Sequence, residues 1–252
     1  VNAHTLLGIL NKDRGYYETS VEHYLTAMKI AEASGDSLRV SGCLNNLGVV
    51  ATKQADYAKA LDYFQRSLQI EEQVGTDQAQ VSIRYFNIGE AYENLDSLDA
   101  AYAYYYNSLL IEEKLNSQEG IFYARLGIGK VDARSGNYDK SAEELGAALS
   151  LALEMEDQPG ICETRLAFGD LYLKTEQYPR ARMEFFLAQQ KAEEINYPEL
   201  IMQASFGNYQ VAKAEGEWQR ALQSLESYYQ FREKLNSSEV NNRIGELQAQ
   251  YE

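Results

Sequence analysis

The chain has 252 residues, of which 45% are hydrophobic and 24% are charged, and its 38 acidic and 23 basic residues give a formal net charge of −15. This apolar content is enough for a large core and argues against a disordered tail. A negative field repels phosphate backbones and anionic lipids, so the composition argues against nucleic acid or a membrane surface as the partner of this segment.

A period of about forty residues runs through the chain, and recurring glycines mark it. The steps between them are 40, 41, 40 and 40 residues. A large residue follows each glycine after nine places, a small one after three more, a large one after four more and a small one after another three. The glycines are Gly8, Gly48, Gly89, Gly129 and Gly169, and Trp218 takes the first large position of a sixth unit.

Each unit is predicted to form two helices joined by a short turn. The small, large and small positions fall at i, i+4 and i+7, which puts them on one face of the second helix. The glycine lies in the first helix. Because glycine in a helix interior costs roughly 0.5–1 kcal/mol relative to alanine, its recurrence predicts close packing there. The six units are predicted at about 1–35, 36–75, 76–116, 117–156, 157–196 and 197–236.

Polar residues between the units predict where the first helices begin. An N-cap side chain accepts a hydrogen bond from a backbone N–H of the first turn, and proline is tolerated in that turn. The predicted N-caps are Asp36, Asp77, Ser117, Asp157 and Asn196. In the sixth unit Tyr209 replaces the expected glycine and Gly207 lies two places early, so we expect an altered contact with the fifth unit.

These positions resemble the tetratricopeptide repeat (TPR) family. The second unit meets nearly all of its pattern, with Leu47, Gly48, Asp56, Tyr57, Ala60, Phe64 and Ser67. The resemblance implies an all-α, right-handed superhelix of six helix-turn-helix repeats, that is, an α-solenoid. The period exceeds the common 34 residues, so each helix is expected to be longer by most of a turn.

The last segment, 237–252, differs from the repeats. Its apolar residues are spaced 4, 3 and 4 apart, which suits a helix that caps the solenoid and also suits a heptad seam. We predict a capping or linker helix for this segment, with the heptad seam as the alternative. The apolar residues are Val240, Ile244, Leu247 and Tyr251.

The stretch "AYAYYYNSLL" places four tyrosines within five positions of the third unit. Tyr105 falls on the large packing position, and Tyr102 aligns with apolar residues of other units. Both are therefore predicted to pack in the core. Tyr104 and Tyr106 align with polar as well as apolar residues, so we expect a partly exposed surface at these two positions.

Catalytic and metal-binding patterns find little support. His4 and His23 have no ligand pattern beside them and are predicted to be packing or surface residues. Gly127, Gly129 and Lys130 lack the spacing and strand of a phosphate loop. We therefore expect no catalytic residue, metal or cofactor.

Other potentially reactive residues also receive structural interpretations. Glu71 and Glu72, like Glu112 and Glu113, recur near the ends of second helices, and we expect them on a solvated face. The two cysteines, Cys43 and Cys162, lie three units apart and are predicted to be free, mostly buried thiols.

The family resemblance also implies a ligand-binding groove lined by the first helices. The resemblance implies that Asn46 and Asn87 bind a peptide backbone, since an amide offers both donor and acceptor. Three basic residues, Lys130, Arg134 and Lys174, suit a carboxylate. The groove residues implied by the family positions are Asn45, Asn46, Phe86, Asn87, Glu90, Asn94, Lys130, Arg134, Asp170 and Lys174.

The resemblance implies a non-catalytic module that binds a peptide or protein segment. The chain opens inside the apolar-periodic segment "VNAHTLLGIL" and closes on "ELQAQYE", so we expect a longer protein. The tyrosine-rich 40-residue units and the closing "IGELQAQYE" resemble repeat regions that precede a membrane helix and a histidine-kinase or DNA-binding domain. This resemblance implies the sensor or regulatory region of a larger bacterial signalling protein, with those elements beyond Glu252. The compartment stays open between periplasm and cytoplasm. The alternatives are a self-associating scaffold that forms a homodimer through the C-terminal helix, and a peptide-regulated phosphatase of response regulators.

Overall fold

The computed structural model describes residues 1–75 and 77–235 with their side chains, and only the helical backbone of residues 236–251. Within those ranges the chain is all-α and has no strand. Its architecture is a solenoid of about six helix-turn-helix repeats. The helices are α1 Asn2–Asp13, α2 Tyr17–Ala33, α3 Ser37–Lys53, α4 Tyr57–Val74, α5 Gln78–Asn94, α6 Leu98–Leu115, α7 Gln118–Ser135, α8 Tyr138–Glu154, α9 Gln158–Lys174, α10 Tyr178–Glu194, α11 Pro198–Ala214 and α12 Trp218–Tyr251.

The helices belong to two compact units, an N-terminal unit (Val1–Leu115) with α1–α6 and a C-terminal unit (Asn116–Ser238) with α7–α11 and the start of α12. Within each unit, consecutive helices pack against each other. First helices of neighbouring repeats also touch, since α3 contacts α1 and α5, and α9 contacts α7 and α11. We call the surface formed by these first helices the inner face of each unit.

The recurring glycines make room for the large side chain of the second helix, as their spacing predicts. A Cβ atom on Gly48 would lie 2.4 Å from Phe64 Cε1, far inside van der Waals contact. The equivalent pairs are Gly8 with Tyr24, Gly89 with Tyr105, Gly129 with Leu145 and Gly169 with Phe185. All five large side chains are at most 2% exposed, so each repeat is centred on this contact.

The sixth repeat departs from this rule in the way that its sequence predicts. Gly207 packs against the ring of Phe185, which belongs to the fifth repeat and already covers Gly169. A Cβ atom on Gly207 would lie 2.3 Å from Phe185 Cε1. Gly207 therefore makes room for a contact between two repeats, whereas the regularly spaced glycines make room for a contact within a single repeat.

Left-handed residues end the helices and set the turns. Among the described residues, each connection between consecutive helices contains one with positive φ; five of these are glycines and six are not. Asp36, Asp77 and Ser117 accept N-cap hydrogen bonds as predicted, whereas Asp157 is an N-cap without one. The prediction for Asn196 is wrong. Asn196 adopts φ 52° in the turn, and Tyr197 is the N-cap of α11.

A buried polar network in the N-terminal unit corrects the prediction of a solvated acidic face. Glu71 is only 3% exposed and accepts hydrogen bonds from Arg84 Nη2 at 2.8 Å and from Ser41 Oγ at 2.6 Å. Arg84 Nε also donates to Ser67 Oγ at 2.8 Å. Glu112 is buried as well, while Glu72 and Glu113 are exposed. One carboxylate of each pair thus faces inward.

The tyrosine-rich stretch of α6 is more exposed than predicted. Tyr105 is buried and donates its hydroxyl hydrogen to Glu93 Oε2 at 2.8 Å. Tyr104 is partly buried, and its ring stacks on Tyr92 with centroids 5.5 Å apart. The prediction of a core position for Tyr102 is wrong, because its ring lies on the surface and stacks on exposed Tyr106.

Both cysteines are free and buried, as predicted, and burial raises the pKa of each thiol, to about 11 for Cys162. No helix within the described ranges is long and apolar enough to cross a membrane. The predicted capping by residues 237–252, and the homodimer through this segment, depend on side chains outside the described residues. Both remain predictions, as do the predicted unit boundaries.

Candidate functional site

Two predicted groove residues meet on the inner face of the N-terminal unit. Asn87 on α5 donates from Nδ2 to Asn45 Oδ1 on α3 at 2.8 Å, and both side chains are partly buried. The bond ties neighbouring repeats together, since the residues are 42 positions apart. It uses one donor and one acceptor, so Asn87 Oδ1 and Asn45 Nδ2 remain for the amide groups of an extended chain.

Asn46 lies beside this pair in sequence but lines a different surface. It borders a cavity of about 450 Å³ between α1 and α3, together with Thr5, Leu38 and Cys43. Adjacent residues of a helix point about 100° apart, so Asn45 and Asn46 face different neighbours. The structure therefore brings Asn87 together with Asn45, whereas Asn46 faces the first repeat across the cavity.

The other groove residues of the N-terminal unit are on α5. Phe86 packs against Tyr105 with ring centroids 5.3 Å apart, so it supports the helix pair as well as lining the face. Asn94 is exposed and donates its side-chain amide to the Glu90 carbonyl at 2.9 Å. Glu90 is partly buried.

In the C-terminal unit, the structure brings Asp170 on α9 near two predicted basic residues. Lys130 on α7 and Lys174 on α9 both stabilise the charged carboxylate of Asp170. Asp170 reaches solvent, yet the surrounding protein replaces part of the bulk water, and this desolvation raises the pKa of Asp170 to about 6. With Asp170 ionised, the two lysines leave the cluster with one positive charge in excess, and protonation of Asp170 raises this excess to two.

Arg134 is the fourth predicted residue of this unit, and it is exposed near the end of α7. Lys130 and Arg134 are four positions apart on α7, so they lie on the same face of that helix. This is the face on which Lys130 approaches Asp170. Ammonium and guanidinium groups bind carboxylates through charge-assisted hydrogen bonds. The arrangement can hold an acidic side chain or a chain terminus.

Sequence reasoning missed an aromatic and acidic cluster on the same unit. Tyr123 on α7 and Tyr197 before α11 are both exposed, and Glu163 on α9 interacts electrostatically with both. Desolvation and these negative charges raise the pKa of Tyr123 and of Tyr197. The pattern was detectable, since Tyr123 and Glu163 each lie six places before a repeat glycine.

A cavity of about 490 Å³ between α10, α11 and the start of α12 was also missed. Met183 and Phe186 are more than half exposed beside it, and Arg182 forms an ion pair with Glu215 at its edge. This cavity lies where the sixth repeat departs from the repeat pattern, so the periodicity of the sequence could not predict it.

The described residues contain no group of three or more histidine, cysteine, aspartate or glutamate side chains placed to hold a metal ion. His4 and His23, however, contact each other across α1 and α2. The sequence analysis did not pair these two side chains, which are 19 positions apart.

Comparison with known proteins gives a family match over two parts of the chain. Two models described as tetratricopeptide repeat match residues 1–73 and 84–115. No curated protein sequence matches the chain significantly.

Several solved structures share the fold. BtubC (BKLC) from P. vanneervenii is 17% identical with a TM-score of 0.68, and the match covers 87% of this chain and 92% of that one. The apo form of RapI is 15% identical with a TM-score of 0.80, over 93% and 83% of the two chains. The Rap conjugation gene regulator of plasmid pLS20, in complex with the Phr* peptide, is 18% identical with a TM-score of 0.75, over 93% and 62%.

Proposed function

Because this chain belongs to the tetratricopeptide-repeat family, we propose that it is a non-catalytic module whose inner faces bind a peptide or protein segment. The observation that carries the proposal is the cluster of Lys130, Asp170 and Lys174 on the inner face of the C-terminal unit. In a chain of net charge −15, a local excess of positive charge on a solvent-accessible face favours an acidic ligand.

The N-terminal unit supports the same function with different chemistry. Asn45 and Asn87 are fixed by their mutual hydrogen bond, so binding costs little additional side-chain entropy. Each amide keeps groups that match a peptide backbone. Such contacts recognise an extended chain without selecting its side chains.

The likeness to a Rap regulator bound to the Phr* peptide supports a peptide as the ligand class. At 18% identity the likeness concerns the fold, so it carries no residue over to this chain. The inner-face residues described above carry the assignment of the site.

We place this module in the sensor or regulatory region of a larger bacterial signalling protein, a histidine kinase or a transcriptional regulator. Such a region needs a surface that binds a ligand, and the inner faces are the surface proposed here. Sequence beyond Glu252 tests the placement, since a membrane helix or an output domain there is the expected result and an unrelated catalytic domain contradicts it.

Peptides selected from a random library against the chain test the binding function. With the best peptide, Lys130→Glu and Lys174→Glu should each weaken binding at least about tenfold, because each inserts a repulsive charge near the bound carboxylate. The matched control is Lys140→Glu, which makes the same charge change at an exposed position of α8. Equal effects of all three would show that only net charge matters and would refute the site.

The amide pair needs its own variants. Asn45→Ala and Asn87→Ala should weaken a peptide bound to the N-terminal unit by about 1–3 kcal/mol each, since each leaves a backbone group of the ligand unpaired. Asn107→Ala, at an exposed position of α6, is the control. Unchanged affinity in both inner-face variants would remove the pair from the site.

Two alternatives remain testable. Self-association through residues 237–252 predicts that sedimentation shows a dimer with this segment and a monomer without it; a monomer in both cases rules the scaffold out. Regulated phosphatase activity predicts that the chain dephosphorylates a response regulator, and an unchanged phosphorylated regulator rules it out.

A further inference from the structure

The two histidines of the chain form a direct contact in the first repeat. His4 Nδ1 on α1 and His23 Nδ1 on α2 are 3.2 Å apart, and the ring centroids are 5.4 Å apart with planes inclined by 42°. Both side chains are partly buried, so the adjacent helices hold them while solvent still reaches them. From this geometry we propose that His4 and His23 chelate one divalent transition-metal ion, of the class that prefers imidazole nitrogen: Zn²⁺, Cu²⁺ or Ni²⁺.

The separation of the two nitrogens fits chelation. With metal–nitrogen distances of about 2.0–2.1 Å, nitrogens 3.2 Å apart subtend an angle of about 100° at the metal. This angle lies between the ideal octahedral and tetrahedral values. The imidazole planes are not parallel, so modest ring rotations can direct both lone pairs to a common point.

Proton placement is also compatible with a metal. Without metal, one Nδ1 donates to the other, so one ring carries its proton on Nδ1. When both Nδ1 atoms bind the ion, each neutral ring carries its single proton on Nε2. Chelation therefore needs a tautomer shift in one ring and no change in total charge of the two imidazoles.

The backbone positions of the pair recur along the chain and hold contacts of other chemistry. Four places before and fifteen places after the repeat glycine, the third repeat has Tyr85 and Tyr104, with ring centroids 5.9 Å apart. The fourth repeat has Arg125 bonded to Glu144 at 2.7 Å, and the fifth has Arg165 bonded to Glu184 at 2.8 Å. The fold thus holds two side chains together at this position, and the first repeat fills it with two metal ligands.

Two protein ligands leave open positions in the coordination shell. The described residues supply no third histidine, cysteine or carboxylate to the group. Water would fill these positions, or a side chain of a partner would replace water. The proposal is independent of peptide binding on the inner faces.

Titration of the chain with Zn²⁺ at about pH 8, above the usual histidine pKa of about 6.5, tests the site. We expect saturable binding of one ion per chain. His4→Ala and His23→Ala should each weaken Zn²⁺ binding about tenfold or more. In each variant the ion keeps one imidazole ligand and loses the second, which the fold holds beside the first at high effective concentration. Glu22→Gln, next to His23 and exposed, should leave it unchanged.

Cu²⁺ provides a readout that does not depend on stability. The electron paramagnetic resonance spectrum should show coupling to two imidazole nitrogens in the parent chain and to one in either variant. Circular dichroism confirms that each variant keeps its helices. Zn²⁺ binding of equal strength in the parent and both histidine variants would overturn the proposal, as would the same nitrogen coupling in all three.

Discussion

The glycine and aromatic contact gives the sharpest prediction about the fold. In Gly48→Ala, the new methyl would lie 2.4 Å from Phe64 Cε1, and the ring is 1% exposed, so it has no free space to move into. Overpacking of a core costs about 1–3 kcal/mol. The higher helix propensity of alanine relative to glycine stabilises the folded state by up to about 1 kcal/mol. We expect a net loss of about 1–2 kcal/mol in the free energy of unfolding.

The chain contains its own controls for this substitution. Gly42 in α3 and Gly146 in α8 are helical glycines whose added Cβ would meet no atom within 4 Å. Gly42→Ala and Gly146→Ala should therefore stabilise the protein by about 0.5–1 kcal/mol through propensity alone. Urea denaturation followed by circular dichroism measures all three variants, and the predicted signs are opposite.

A double variant separates the clash from other causes. In a Phe64→Ala background the ring is absent, so Gly48→Ala should behave like the controls and add stability. The difference between the two backgrounds measures the coupling of the pair. The reasoning is refuted if Gly48→Ala stabilises the parent chain as Gly42→Ala does.

Three further predictions concern charged groups. Arg84→Met should lower the free energy of unfolding by about 3–5 kcal/mol, because it leaves Glu71 buried without its ion-pair partner. Arg125→Met is the control: its ion pair with Glu144 is about a quarter exposed, so its loss should cost about 1 kcal/mol or less. Equal losses of the two variants in urea denaturation would contradict this prediction. For Asp170, the native state holds the proton more strongly than the unfolded state, so stability should fall as pH rises from about 4 through about 6. Asp170→Asn should remove that part of the pH dependence, and carboxyl chemical shifts that place the pKa of Asp170 near 4 would contradict it. Below pH 6 neutral Asp170 leaves Lys130 and Lys174 uncompensated, so a carboxylate-bearing peptide should bind more tightly at pH 5 than at pH 7, and the opposite order in fluorescence anisotropy would contradict the site.

The repeats could be predicted from the sequence because each depends on local spacing. Gly48 and Phe64 are 16 positions apart in one helix pair, and the same offset recurs at Gly169 and Phe185, so five copies indicate one contact. Even the irregular Gly207 was predicted to alter a contact. These features follow from helix periodicity and side-chain volume.

Other contacts could not be predicted because they depend on the exact facing of different helices. Glu71 is buried with Arg84 of the following helix as its ion-pair partner, whereas the neighbouring Glu72 is exposed. Tyr102 aligns with apolar residues yet lies on the surface. A periodic pattern assigns a helix face to each residue, but it does not say which partner meets that face.

The sequence predicted which residues line the candidate site, but it did not predict all of the contacts between them. The family positions indicated Lys130, Asp170 and Lys174, and the structure brings these three charges near each other. The partner of Asn87 is Asn45, 42 positions away, because the two first helices pack side by side.

Photo-crosslinking tests the central claim that ligands bind on the inner face. A photoreactive phenylalanine analogue replaces exposed Arg134 on α7 in one variant and exposed Lys140 on α8 in another, and each is illuminated with the peptide selected against the C-terminal unit. We predict a specific crosslink from position 134 and none from position 140. A crosslink from position 140 alone, or equally from both positions, would contradict binding on the inner face.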